Sequence, residues 1–269
     1  MNLPASKLQR ILNNAPIPFR LGDYISQGFQ FMNRNFGMLL AFMLLSTMIS
    51  FIMQVMPVGG MVLGVLIAPV LQIGYAQFAY AVTQERRAEF GEFFKGFNKI
   101  GPLISTYFLT ALIGLAAMVP GLIFWYKAGM LDWFSGLMEE YPFFTNIPDL
   151  FDSVDTTLFG LGILAILIGA LSITVLFAWA LNIVWFFEVG PLEALSASRK
   201  LIARNWLPFV IFIFVAGIIA GLGILLCGVG VLYTAPAMAC AQFFAFADAT
   251  RLFEDGEDDQ SNTIDHFIV

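Results

Sequence analysis

Apolar residues run along this chain in long stretches that no charge interrupts. Between Arg34 and Glu85 lie 50 uncharged residues, between Lys99 and Lys127 lie 27, between Asp155 and Glu188 lie 32, and between Arg204 and Asp248 lie 43. A helix rises about 1.5 Å per residue, so about 20 residues cross a ~30 Å hydrocarbon layer. The 27- and 32-residue gaps each hold one span, and the 50- and 43-residue gaps each hold two. Both longer gaps carry a turn signal near the middle, Pro57-Val58-Gly59-Gly60 and Cys227-Gly228-Val229-Gly230. The pattern predicts six membrane helices, at roughly 36–56, 59–82, 103–126, 158–187, 207–226 and 229–247. The runs are continuous and lack the alternation of a transmembrane barrel.

Three further segments have helical periodicity with one apolar face. Residues 22–35 set Ile25, Phe29, Met32 and Phe36 in register; residues 88–100 do so with Phe90, Phe93, Phe94, Phe97 and Ile100; residues 191–205 with Leu192, Leu195 and Ile202, running into Trp206. Each precedes an odd-numbered span and reads as an amphipathic helix lying in the headgroup plane or under the bundle. The first and third align at an offset of 170, with Asp23-Tyr24-Ile25-Ser26 over Glu193-Ala194-Leu195-Ser196 and Arg34-Asn35-Phe36 over Arg204-Asn205-Trp206. Each then leads to a hairpin with a proline in its second span, at Ala68-Pro69 and Ala235-Pro236. The middle unit matches in its amphipathic segment and following span. The expected architecture is an all-α integral membrane domain over 22–250: six transmembrane helices as three parallel hairpin units, each preceded by a cytoplasmic interfacial helix. It is flanked by an N-terminal segment, 1–21, and an acidic tail, 251–269.

Composition agrees and charge adds orientation. Only 12% of residues are charged while 59% are hydrophobic, against about 25% charged in soluble domains. This disfavours a water-soluble enzyme, a disordered chain, a disulfide scaffold and a nucleic-acid binder. Twelve of the 13 Lys and Arg residues fall in the N-terminal segment, the loops after spans 2 and 4, and the tail; the exception is Lys127. The positive-inside rule therefore puts both termini in the cytoplasm. The first 35 residues contain no apolar run, so the first span is expected to act as an uncleaved signal anchor.

Several short motifs carry a resemblance. The opening Gly-Asp-Tyr-Ile with Phe-Met-Asn-Arg-Asn-Phe-Gly, Glu92-Phe93-Phe94-Lys95-Gly96-Phe97, Pro191-Leu192-Glu193-Ala194-Leu195-Ser196-Ala197-Ser198, and Gly228-Val229-Gly230 leading to Pro236 make residues 20–253 similar to a set of poorly characterised bacterial membrane proteins. That set includes the membrane domain fused to some glycerophosphodiester phosphodiesterases. The resemblance implies a six-span fold in the bacterial inner membrane and brings no catalytic residues.

Little chemistry is on offer. The one histidine, His266, lies in the acidic tail, and no phosphate-binding loop or zinc motif occurs. No catalytic residue, metal ligand or cofactor is expected, and Cys227 and Cys240 read as buried hydrophobes. Arg34, Asn35 and Phe36, with Arg204, Asn205 and Trp206, are candidate lipid-headgroup or interface anchors. The loop 127–157, assigned to the external side, combines Trp133, Phe134, Tyr141, Phe143 and Phe144 with several acids, a candidate partner-docking surface. Asp149, Asp152 and Asp155 within it share a spacing of three, compatible with a cation site but more simply a solvated face. Gln72, Gln77 and Gln242 would line a polar path in a transporter, although such residues more often join helices. The absence of charge inside the spans weighs against ion-coupled transport. The expected function is a non-catalytic scaffold or accessory subunit of a membrane or envelope complex, with the bilayer and other membrane proteins as partners and no nucleic acid. The alternative is a transporter or flippase for an amphiphilic or lipid-like molecule.

Overall fold

The structure is a computed structural model that describes residues 3–14, 18–84, 88–140, 154–225 and 228–253. Among these residues the chain is all-helical, and the single extended contact is a parallel bridge between Leu3 and Phe187. The helices are α1 (Ala5–Asn13), α2 (Leu21–Arg34), α3 (Phe36–Val55), α4 (Pro57–Thr83), a 3-10 helix (Phe90–Lys99), α5 (Ile100–Lys127), α6 (Met130–Glu140), α7 (Thr156–Leu176), α8 (Ala180–Phe186), α9 (Pro191–Arg204), α10 (Trp206–Leu225) and α11 (Val231–Ala249). Among the described residues, five stretches are long and apolar enough to cross a membrane: Phe36–Val55, Val62–Thr83, Phe90–Lys127, Thr156–Phe186 and Trp206–Leu225. They match the first five expected spans. The sixth, 229–247, is helical as α11 but is not among the five, since Tyr233, Thr234, Pro236, Gln242 and Asp248 dilute an alanine-rich sequence. It is also the most enclosed helix, with nearly every side chain from Pro236 to Asp248 buried.

The chain divides into two compact units, Met1–Phe108 with Leu176–Val269, and Leu109–Val175. In the first, α11 is the hub on which α2, α3, α4 and α10 pack, and the 3-10 helix packs on α4. Its interior is aromatic. Phe93 is sandwiched between Phe42 at 4.2 Å and Phe78 at 4.4 Å; Phe31 meets Phe78 and Phe244; Trp179 meets Phe209 and Phe246. Each such ring buries a large apolar area, and offset or edge contacts add about 0.5–1.5 kcal/mol per pair.

The second unit holds the later part of α5, α6 and most of α7, with α5 and α7 zipped together by small residues. A Cβ on Gly121 would fall 2.7 Å from the carbonyl oxygen of Gly162, and one on Gly169 would fall 2.6 Å from that of Ala117, so these glycines let the two backbones touch. Asp155 caps α7, its Oδ1 accepting from the N–H groups of Thr157 at 2.9 Å and Leu158 at 3.0 Å.

The amphipathic segments depart from expectation in their faces. In α2 the buried residues are Tyr24, Gln27, Gly28, Phe31 and Met32, a face rotated from the expected one, and Phe36 is exposed. Residues 90–99 form a 3-10 helix that buries Phe93 and Gly96 and leaves Phe97 exposed, because the tighter turn regroups the side chains. In α9 the buried face is Ala194, Leu195, Ala197, Ser198, Leu201 and Ile202, and Leu192 is exposed. The 170-residue offset nonetheless reappears in the burial pattern: Tyr24, Gln27, Gly28, Phe31 and Met32 sit over Ala194, Ala197, Ser198, Leu201 and Ile202, all buried. Leu39 and Phe42 likewise sit over Phe209 and Phe212, all with no exposure. Asn35 and Asn205 both break their helices with nearly the same backbone angles, φ −120°, ψ 26° and φ −127°, ψ 39°.

Candidate functional site

Polar groups that the sequence scattered among the spans are brought to three crossings in the first unit. The first lies between α2 and α11, which run antiparallel. Tyr24 lies opposite Asp248, Gly28 opposite Ala237 and Ala241, and Asn33 opposite Tyr233, whose hydroxyl donates to Asn33 Oδ1 at 2.6 Å. Gly28 sets the approach, because a Cβ there would lie 2.4 Å from the carbonyl oxygen of Ala237. At one end the Tyr24 hydroxyl donates to Asp248 Oδ2, and an Arg20 guanidinium nitrogen stands 3.8 Å from Asp248 Oδ1. Burial, and then the Asp248 carboxylate, push the Tyr24 phenol well above its ordinary range, so the hydroxyl keeps its proton and remains a donor. The end of α11 is closed by a paired turn: Leu252 N–H donates to Ala247 O at 2.9 Å, Arg251 N–H donates to Asp248 O at 3.0 Å, and Arg251 takes φ +44°. Sequence reasoning ended the sixth span at residue 247 and so left this carboxylate outside it. The signal was present in Asp248 falling one helical turn before the break.

The second crossing joins the 3-10 helix to α4. Gln77 Oε1 accepts from the Gly96 N–H at 3.0 Å, and a Cβ on Gly96 would meet Val70, Gln77 and Ile73. The third joins α9 to the break at 177–179 between α7 and α8. Ser198, with no exposure, donates to the Leu176 carbonyl at 2.9 Å and accepts from the Trp179 N–H at 3.3 Å. The expected span 158–187 is thus two helices, and one hydroxyl satisfies backbone groups on either side of the interruption. Nothing in that apolar run marks the break, and the stitching serine lies in a different element.

The anchors sit at the α2–α3 and α9–α10 joints. Phe36 and Trp206 are exposed. Arg34 is also exposed, at the end of α2. The Asn35 amide donates to Phe31 O at 3.1 Å and so ends α2. Arg204 is turned toward protein: its NH1 donates to the carbonyls of Ile11 and Asn14, both at 3.1 Å, closing the C-terminal end of α1. Leu8 and Ile11 are buried below it. Asn205 caps α9 through its backbone N–H to Ile202 O.

The three glutamines do not assemble into one lining. Gln72 is exposed, Gln77 is buried and held by Gly96, and Gln242 is half-buried. In the docking loop, α6 presents Phe134 at 54% exposure and Leu131 at 64%, with Trp133 half-buried. Tyr141, Phe143 and Phe144 lie outside the described residues, as do Asp149, Asp152, Cys227 and His266. Asp155, the third member of the acidic triplet, is the cap of α7. Among the described residues no group of His, Cys, Asp and Glu could hold a metal ion. The sequence matches no family model, and neither a curated protein nor a solved structure is similar to it.

Proposed function

We propose that this chain is a non-catalytic multi-pass membrane protein that serves as a scaffold or accessory subunit of a membrane or envelope complex. In this reading α11 completes a set of six spans in three helix-plus-hairpin units, both termini face the cytoplasm, and the membrane is the bacterial inner membrane. The observation that carries it is the filled seam between the first and third units. Phe31 is wedged between Phe78 and Phe244, and Gly28 lies against the backbone of α11. A route for an amphiphilic cargo between those units would need space where these rings and backbones stand. Against the transporter reading, Gln72 is exposed while Gln77 is buried, with its Oε1 engaged by the Gly96 N–H of the 3-10 helix.

A scaffold needs surfaces, and the exposed side chains Leu131, Asp132 and Phe134 of α6 supply one. The test is gentle-detergent extraction from native membranes followed by native mass spectrometry. A heteromeric assembly of fixed stoichiometry supports the proposal. Recovery of the chain solely as free monomer or homo-oligomer contradicts it.

A further inference from the structure

Positive charge in the first unit is unevenly satisfied. Lys95 pairs with Glu92, Arg20 faces Asp248, Lys99 donates to the Trp185 carbonyl at 2.9 Å, and Arg204 donates to the carbonyls of Ile11 and Asn14. Lys7, Arg34 and Arg251 are engaged as well. Among the described residues of this unit, that leaves Arg10, Arg199 and Lys200, all exposed, as the cations without a side-chain partner. The three share one surface. α1 packs on α9 and runs in the same direction, since Leu3 pairs with the backbone of Phe186 and Glu188 ahead of α9, while Ile11 and Asn14 meet Arg204 at its end. Arg10 therefore stands level with the last turns of α9, where Lys200 lies one turn before Arg204 with Arg199 beside it. α1 buries Leu8 and Ile11, turns Ser6, Gln9, Arg10 and Asn13 outward, and contains no acid. The acid of α9, Glu193, lies two turns before Lys200.

The opposite charge begins beside this surface. Phe253 stacks on Tyr80 at 5.6 Å, Tyr80 meets Phe186 at 5.0 Å, and the Phe186 carbonyl accepts from the Leu3 N–H at 2.9 Å. The described residues end at Phe253, close to the start of α1, and five of the next six residues, Glu254 to Asp259, are acidic with no Lys or Arg after them. A nine-residue helix such as α1 is about 13 Å long, and six residues of extended chain span about 20 Å. The acidic run can therefore follow α1 as far as Arg10 and Lys200. We propose that Glu254–Asp259 docks along the cationic face of Arg10, Arg199 and Lys200 as an intramolecular cover. Each exposed pair is weak and salt-sensitive, but tethering keeps the acids at an effective concentration in the millimolar range, so several weak pairs act together. In place, the cover closes the face to other anions, whether lipid headgroups or acidic proteins.

The experiment uses the full chain, one copy per nanodisc of phosphatidylcholine, at low salt. A carbodiimide joins lysine amines to carboxylates already in contact, and peptide mass spectrometry locates the new amides. The Lys95–Glu92 pair, at 2.5 Å, is the internal positive control. The expected result is an amide between Lys200 and an acid of Glu254–Asp259. Its yield is expected to fall about tenfold at about 0.5 M salt, where the screening length shrinks to about 4 Å. Arg10→Gln with Arg199→Gln, which leaves Lys200 in place, is expected to lower the yield about threefold or more and to leave the Lys95–Glu92 link unchanged. Formation of the control link while Lys200 joins no acid of the segment, which would leave the face to anionic headgroups or another protein, overturns the proposal. So does a Lys200 link whose yield responds neither to salt nor to the double substitution.

Discussion

Replacing Gly28 by alanine isolates the packing of α2 on α11. A Cβ at this position lies 2.4 Å from the Ala237 carbonyl oxygen, 2.8 Å from the Ala241 Cβ and 3.0 Å from the Ala241 nitrogen. Two of those neighbours are backbone, so no side chain can rotate away, and α2 must retreat from α11. Overpacking of this kind costs about 1–3 kcal/mol. Alanine recovers up to about 1 kcal/mol of helix propensity. Gly22, on the same helix with nothing within 4 Å of its virtual Cβ, receives the propensity gain alone. The two alanine variants should therefore differ by about 1–3 kcal/mol, with Gly28→Ala the less stable. At roughly 2–4 °C per kcal/mol, that is a gap of about 2–12 °C in unfolding midpoint. Tryptophan fluorescence during heating, in a single detergent, measures both variants side by side. Equal midpoints would refute the placement of α2 along α11.

Two other changes probe the remaining crossings. Ser198→Ala leaves the Leu176 carbonyl and the Trp179 N–H without their shared hydroxyl and should lower stability by about 1–3 kcal/mol, while Ser172→Ala, at an exposed serine that bonds its own helix at Ile168, should be nearly silent in the same melt. Arg204→Gln removes the guanidinium that closes α1, so amide hydrogen exchange across Ala5–Asn13 should accelerate while exchange in α11 stays unchanged.

The spans were legible because a bilayer imposes a length on apolar runs, and α3, α4, α5, α7 and α10 fall where the charge gaps put them. What charge gaps could not convey is which helix lies innermost. The hub α11 carries Gln242 and Asp248 and is the least apolar of the long helices, because neighbouring protein takes the place of lipid around it. The three segments picked out by helical periodicity are helical, yet that reading assumed that the largest residues face inward. In α2 the closest contact is made by Gly28, so the helix turns this glycine toward α11 and leaves Ile25 and Phe29 half-buried. Arg204 read as an anchor by analogy with Arg34, since sequence alone cannot show that α1 ends beneath it. The Ser198 stitch and the Gln77–Gly96 clamp each join residues 19 to 22 apart through helices that have no common periodicity.

On the proposed function this chain works through its surfaces. It is tested most directly by a photo-crosslinking amino acid placed in intact cells at Phe134 of α6, with Leu222 of α10 as an equally exposed control. The expected result is a discrete protein adduct at Phe134 and lipid adducts at Leu222. Lipid adducts alone at both positions would contradict it.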